Sequence, residues 1–392
     1  MTVNFKINSV VVILKVTERC NINCSYCYFF NGSDSSFKNH AARISLQTVE
    51  NVAKYFKKAC EKLSIKNLRF DFHGGEPLLL KPEYLSSICN ILIQELSETV
   101  KVEFTLQTNA MLINEEWIRL FSFYHINLGI SIDGPEEYHD KYRYDHKGKG
   151  TYVRTREAIN LLRSHAKRSK LNFGVGVLSV INPDFSAKKI YRHFVDELKL
   201  NSFDFLLPDN TWDSFKKEDF YGEKIGFFLK ELFDEWAGDN NPKIYVRILN
   251  SIISSLLGLK LHFHDLGGWL EDLLLVTVNS DGGIGPDDTY RSADPNFMQL
   301  GLTVTNSTLE DLLAHPTIKM LISSSKNVPD HCQTCNWVKT CKGGSLLHRY
   351  SSSNNFNNPS VYCDGLKYFF DHIYRFIETH EIKIVRNGKE TV

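Results

Sequence analysis

The sequence predicts an α/β fold, an open partial (β/α)6 barrel of TIM-like type, and three observations point there. Short β-rich runs alternate with helix-length segments through the first half of the chain. The alternation stops after six such units, near Pro208, short of the eight that close a complete barrel. A chain of 392 residues also leaves room beyond those units for a helical bridge and a small C-terminal domain.

The units follow one another in order. VVVILKV (10–16) precedes a helical pattern at 46–63, LRFDF (68–72) a helix near 82–97, and VEFTLQT (102–108) the segment NEEWIRLFSF. NLGISI (127–132) precedes a helix over 151–168, FGVGVLSVI (173–181) one over 185–199, and FDFLLP (203–208) ends the series. Strands separated by helices of this length imply right-handed parallel crossovers. A loop then leads to two helix-like stretches, IGFFLKELFDEWA and VRILNSIISSLLGL, and EDLLLVTVNSDGGIGPDD reads as a β-hairpin turning at Asp281-Gly282-Gly283. The expected divisions are 1–210 for the barrel, 211–270 for the bridge and 271–392 for the C-terminal domain. There is no internal repeat.

Lys+Arg and Asp+Glu are equal at 46 each, which removes the electrostatic bias expected of a nucleic-acid or anionic-membrane binder. The N-terminal segment lacks the order of a signal peptide, and no run approaches the roughly 20 apolar residues of a membrane span, so a cytoplasmic protein is expected. Nine cysteines are present, and seven fall in two tight groups. In a reducing compartment that grouping favours metal ligation over disulfides. Cys60 and Cys89 lie alone in helical patterns and read as small buried hydrophobes.

The first group, Cys20, Cys24 and Cys27, follows the first strand at its C-terminal end, where barrel-like α/β proteins collect their chemistry. Three thiolates can hold a 4Fe-4S cubane and leave one iron open to a small molecule, whereas a zinc site or a structural loop is the plainer reading of so short a motif. The second group, Cys332, Cys335, Cys341 and Cys363, can close a tetrahedral zinc site or saturate a cubane, and spacing by itself favours zinc.

CNINCSYC, with Tyr26 before its third cysteine, resembles the CxxxCxxC signature of the radical S-adenosylmethionine (SAM) superfamily. HGGEPLL (73–79), LQTNAML (106–112) and SIDGPEEYHDKYR (131–143) resemble that family's later landmarks, in its order. The resemblance covers about residues 10–210. It implies a SAM-binding 4Fe-4S cluster on Cys20, Cys24 and Cys27. It also implies contacts to the methionine amine from the Gly74-Gly75 backbone and Glu76, to the sugar region from Asn109, and to ribose and carboxylate from Ser131 and Arg143, with Tyr26 beside the cofactor. An external electron donor such as flavodoxin or ferredoxin is implied as well.

The C-terminal cysteines are similar to part of a SPASM domain, the Fe-S extension of radical enzymes that modify peptides. Full versions carry seven cysteines and two auxiliary clusters. Here Ser345 stands where a further cysteine belongs, and the hairpin ending GIGPDD has none, so one four-cysteine auxiliary cluster is expected. The tail GGSLLHRYSSSNNFNNPSVYC is similar to that of XYE-type and Fxs-type maturases, which join an aromatic ring to a β-carbon in a ribosomally synthesised precursor peptide. The expected function is therefore cyclophane formation. A thioether-forming or sulfatase-maturing enzyme is the alternative within the superfamily, and a non-catalytic metal-binding scaffold the alternative outside it. By the same resemblance Asp288, after Pro286, is the candidate base for the ring proton; a turn carboxylate facing solvent is its plainer reading. The barrel begins near residue 10, so recognition of a peptide leader is expected to use the bridge, an edge strand or a separate protein.

Overall fold

The computed structural model describes residues 7–168, 171–215, 221–259, 273–380, 384–386 and 389–391. In chain order the elements are β1 (Ser9–Thr17), α1 (Leu46–Leu63), β2 (Asn67–Gly74), α2 (Pro82–Leu96), β3 (Lys101–Thr108), α3 (Glu115–Tyr124), β4 (Asn127–Ser131), α4 (Glu136–Tyr142), α5 (Tyr152–Arg168) and β5 (Val175–Val180). There follow α6 (Ala187–Arg192), β6 (Ser202–Leu206), α7 (Tyr221–Asp239), β7 (Tyr245–Val246), α8 (Arg247–Leu256), β8 (Leu273–Val278), β9 (Ile284–Gly285), α9 (Leu309–Ala314), α10 (Pro316–Lys326), α11 (Val338–Cys341), α12 (Leu346–Arg349) and α13 (Cys363–Thr379). The parts of the expected bridge at 216–220 and 260–270, and the first two residues of the expected hairpin, lie outside the described residues.

Two compact units emerge, one drawn from residues 1–179 and 271–322 and the other from 180–270 and 323–392. The first contains the parallel sheet, in the order β8-β1-β2-β3-β4-β5 with β9 antiparallel to β8. The mixed α/β fold with its parallel sheet agrees with the expected partial barrel. Two details differ from the simple count of six units. The hairpin assigned to the C-terminal domain contributes a parallel neighbour to β1, with Ser9 through Leu14 facing Leu273 through Val278. The sixth strand, β6, lies in the second unit and pairs in parallel with β7.

Local chemistry explains the boundaries. The Ser45 side chain accepts from the Thr48 amide to start α1, and Ser64 ends it in the left-handed region at φ 56°. Asn114 accepts from the amides of Glu116 and Trp117 at the start of α3, and Thr308 with Asp311 forms a capping box on α9. On β2 and β3 the side chains alternate strictly. Leu68, Phe70, Phe72, Phe104 and Leu106 are buried on the helix-covered face, where the Phe72 and Phe104 rings stack 5.3 Å apart and Phe56 of α1 meets Phe70 edge-on at 6.1 Å.

The opposite face of the sheet is polar. Arg69 pairs with Asp71, which also accepts from Thr105 Oγ1 at 2.6 Å. Gln107 Nε2 donates to Ser131 Oγ at 2.8 Å. Its side chain crosses β4 at Gly129, where a Cβ would stand 2.2 Å from Gln107 Oε1. No described helix is long and apolar enough to cross a membrane.

Candidate functional site

The loops after β1, β2, β3 and β4 meet at the C-terminal edge of the sheet. The first carries Cys20, Cys24 and Cys27. The Cys27 amide donates to the Cys24 carbonyl at 3.1 Å, and Asn31 Nδ2 donates to the same oxygen at 2.7 Å. The segment after α4 braces the loop from outside: the Asn23 and Ser25 amides donate to the carbonyls of Tyr144 and Tyr142, at 2.7 and 3.0 Å. Burial pushes the Cys20 thiol up to about 12 and raises that of Cys24; Cys24 and Cys27 raise Cys20 further, and Cys27 raises Cys24.

The turn after β2 lies directly against this loop. The Gly75 amide donates to the Thr17 carbonyl and the Glu76 amide to that of Arg19, both at 2.8 Å. A Cβ at Gly74 would stand 1.9 Å from Thr17 O, and one at Gly75 2.0 Å from Arg19 O, so the glycine pair is needed for this approach. Glu76 is buried. Its carboxylate accepts from the Leu78 amide (3.0 Å), Thr108 Oγ1 (2.6 Å) and the Asn109 amide (2.8 Å), joining the turns after β2 and β3. Asn109 Nδ2 donates to Asn21 Oδ1 at 2.8 Å, which brings it beside the cysteine loop.

Tyr26 Oη donates to Asp133 Oδ2 at 2.5 Å and accepts from Arg143 Nη1 at 2.6 Å. Arg143 is buried, and its Nε has no hydrogen-bond partner among the described residues. Ser131, Arg143, Tyr26, Gly74, Gly75, Glu76 and Asn109 thus share one edge of the first unit with the three cysteines. The inventory also includes Asp133 and Asn21, which the motif reading did not single out.

Asp288 is not the solvent-facing turn carboxylate of the plainer reading: it is buried, forms an ion pair with the wholly buried Lys15, and accepts from Tyr28 Oη at 2.8 Å. Although burial alone would raise its carboxyl, the neighbouring Lys15 and Arg291 hold it well below the usual carboxylate range. Lys15 Nζ also lies 3.0 Å from His73 Nδ1. Alongside, Arg291 pairs with Asp34 at 2.6 Å, and the Phe29 ring lies 4.6 Å from Lys15 Nζ and 4.4 Å from the Arg291 guanidinium. A lone lysine inside the apolar run VVVILKV, and a histidine before the Gly-Gly pair, were the available signals for this cluster.

In the second unit Cys332, Cys335, Cys341 and Cys363 line one cavity, together with Trp337, Lys367 and Phe370. Among the described residues, no group of three or more His, Cys, Asp or Glu converges as a single metal ion requires. Burial, then Cys363, pushes the Cys341 thiol up to about 12. Gly343 and Gly344, at φ 92° and 85°, pass so close to Pro329 and Ser360 that a Cβ would stand 2.7 and 2.6 Å away. Ser345 precedes α12 as its N-cap residue.

The HRY segment is buried and acts as a staple. Arg349 donates to the carbonyls of Phe356 (2.9 Å) and Asn327 (3.0 Å), and the His348 ring meets Tyr362 edge-on at 4.8 Å. Burial pushes His348 down to about 4. Because that lies below the unfolded value of about 6.5, the unfolded chain binds the proton first as pH falls. Stability should therefore be intact above about pH 6.5 and fall by about 3 kcal/mol on acidification to about pH 4. Urea midpoints compared across this window should decline less steeply for His348→Gln than for the unmodified chain.

Fold and site together define an α/β enzyme whose parallel sheet gathers three cysteines at its C-terminal edge. Residues 14–184 match the family model of the Radical SAM superfamily. The chain is 27% identical over 371 residues to the cysteine-type anaerobic sulfatase-maturating enzyme of Clostridium novyi, covering 92% of this chain and 94% of that protein. To the serine-type anaerobic sulfatase-maturating enzyme of Bacteroides thetaiotaomicron it is 22% identical, with 94% and 90% covered. The solved structure of native anSMEcpe with bound AdoMet and Cp18Cys peptide matches with a TM-score of 0.80 at 23% identity, over 95% of this chain and 98% of that one, a likeness of fold.

Proposed function

We propose that the protein is a radical SAM enzyme that removes a hydrogen atom from the β-carbon of a residue in a peptide substrate and directs the product to a carbon-carbon crosslink, a cyclophane, with a nearby aromatic ring. Similarity over more than nine-tenths of the chain to sulfatase-maturating enzymes, one of them solved with a peptide, supports the peptide substrate. The loop geometry fits the cofactor: three thiols lie in one braced loop, Cys24 and Cys27 raising Cys20 and Cys27 raising Cys24. The buried Arg143 Nε, without a partner among the described residues, is suited to a ligand oxygen. When bound, a 4Fe-4S cluster and SAM supply a 5′-deoxyadenosyl radical able to take the hydrogen. Cys20, Cys24 and Cys27 would hold the cluster; Tyr26, Gly74, Gly75, Glu76, Asn109, Ser131 and Arg143 would surround the SAM.

The observation that carries the crosslink reading is the cysteine inventory. Outside the first loop only Cys332, Cys335, Cys341 and Cys363 remain for clusters, because Cys60 and Cys89 are buried inside α1 and α2. Four thiols lining one cavity can ligate a polynuclear cluster or a single zinc ion, and the likeness to part of a SPASM domain favours the cluster. Restoring an aromatic ring after the bond forms requires loss of one electron, for which an iron-sulfur acceptor serves, and one proton, for which Asp288 is the proposed base. A ribosomally made precursor, an electron donor such as flavodoxin or ferredoxin, and a cytoplasmic setting complete this reading.

The relatives favour a second reading, maturation of a sulfatase at a cysteine or serine. A peptide free of cysteine and serine and deuterated at the candidate β-carbon separates the two. The crosslink reading expects deuterium in 5′-deoxyadenosine and a ring-to-β-carbon correlation by NMR. Deuterium retained in the peptide, or turnover confined to cysteine- or serine-containing peptides, would overturn it and promote the second reading.

A further inference from the structure

Lys15 of β1 and His73 of β2 are partners in the parallel register, so both side chains leave the same, polar face of the sheet. Asp288 reaches the same point from beyond β9, and the three side chains form a continuous chain: Asp288 Oδ2 to Lys15 Nζ, then Lys15 Nζ to His73 Nδ1 at 3.0 Å. An ammonium group can only donate, so Nδ1 of His73 is the acceptor and the imidazole is neutral, with its proton on Nε2. Burial, then Lys15, favours that neutral form, pulling the histidine down to about 3. Lys15 and Asp288 are closed off from solvent, whereas His73 is half-buried.

The surrounding charges make this arrangement selective about where a proton can stay. Lys15 and Arg291 are balanced by Asp288 and Asp34, with Glu18 the next acid toward Lys15 and Tyr28 the other donor on Asp288. A proton left on Asp288 would leave the buried Lys15 ammonium without its counter-ion, which is strongly unfavourable. The ion pair is restored only if a proton moves on.

We propose that Asp288, Lys15 and His73 form a proton exit path for the crosslinking reaction, a role that rests on the function assigned to Asp288 above. The ring proton of the oxidised substrate passes to an Asp288 oxygen. Lys15 gives one N–H proton to His73 Nδ1 and takes the proton from Asp288, so the carboxylate-ammonium pair is regenerated. His73, briefly an imidazolium, releases its Nε2 proton to water from its half-buried side, and proton exchange with that water then returns the neutral ring to the Nε2–H tautomer that accepts from Lys15. The path moves only protons; the electron leaves separately to the iron-sulfur acceptor already named. A carboxylate held this firmly ionised is a weak base, but the ring proton of an oxidised cyclohexadienyl group is a strong acid, so the two are matched in strength.

The experiment measures crosslinked peptide formed per 5′-deoxyadenosine released, using the reconstituted full chain and an aromatic peptide. His73→Ala and His73→Gln should both lower that ratio about a hundredfold, the low end of the usual range for loss of a proton-transfer group. Added imidazole should restore the ratio in His73→Ala, where it fills the vacated space, and not in His73→Gln. A wild-type ratio in His73→Gln, which keeps the bulk but carries no proton, overturns the path. So does a slow His73→Ala that imidazole does not rescue, which would make His73 a packing residue. Failure of the underlying reading looks different: the unmodified enzyme itself then yields no crosslink, and both proposals fall together.

Discussion

Replacing Cys20, Cys24 and Cys27 together with Ala should abolish release of 5′-deoxyadenosine and leave about half of the bound iron, the share of a second, separately ligated cluster. The reason is geometric. The three thiols belong to one loop braced by the turn after β2 and by the segment after α4, while Cys332, Cys335, Cys341 and Cys363 line a cavity in the other compact unit. Removal of the first set leaves the second set's ligands in place. Iron analysis with an optical spectrum, alongside a cofactor-cleavage assay, checks both halves. Retained cleavage would refute the cysteine assignment, and complete loss of iron would refute the independent second cluster.

Asp288→Asn should lower crosslinked product per 5′-deoxyadenosine by about a hundredfold, because the amide keeps the shape of the side chain and loses its basicity. It should also cost about 3–5 kcal/mol of stability, since it strands the buried Lys15 ammonium. The two effects can be separated. Combining it with Lys15→Met removes the stranded charge, so the double variant should recover much of the stability and none of the product. Wild-type product in either variant would return Asp288 to a structural role. The acid side has a definite sign: the folded-state pKa of Asp288 is depressed, so its stabilising contribution is present above the unfolded value of about 3.9 and is lost as pH falls below it. Asp288→Asn should therefore remove part of the acid sensitivity seen in denaturant midpoints.

Much of the architecture was legible in the chain because it depends on near neighbours. Strict alternation along β2 and β3 separates Leu68, Phe70 and Phe72 from Arg69, Asp71 and His73 without reference to anything distant. The gaps between Cys20, Cys24 and Cys27 are so short that all three must share a loop, and the side chains of Ser45 and Asn114 start their helices through amides two or three residues away. The hairpin at 273–285 was equally local, fixed by its own turn.

Other features have no local signature. That β8 pairs in parallel with β1, and so belongs with the barrel unit, is a matter of strand partners some 260 residues apart, and hydrophobic pattern selects a face without selecting a neighbour. Lys15 reads along the chain as one charge in an apolar strand; its burial is tolerable only because Asp288, 273 residues later, supplies the counter-charge. The same holds for Tyr26, whose hydroxyl is fixed by Asp133 and Arg143, more than a hundred residues away. The sequence by itself determined which elements form and which ligand types are present, since spacing and periodicity act over a few residues. Which charges are buried together, and hence which group can hold or pass a proton, was decided only by the tertiary structure, because desolvation and pairing are properties of the assembled neighbourhood.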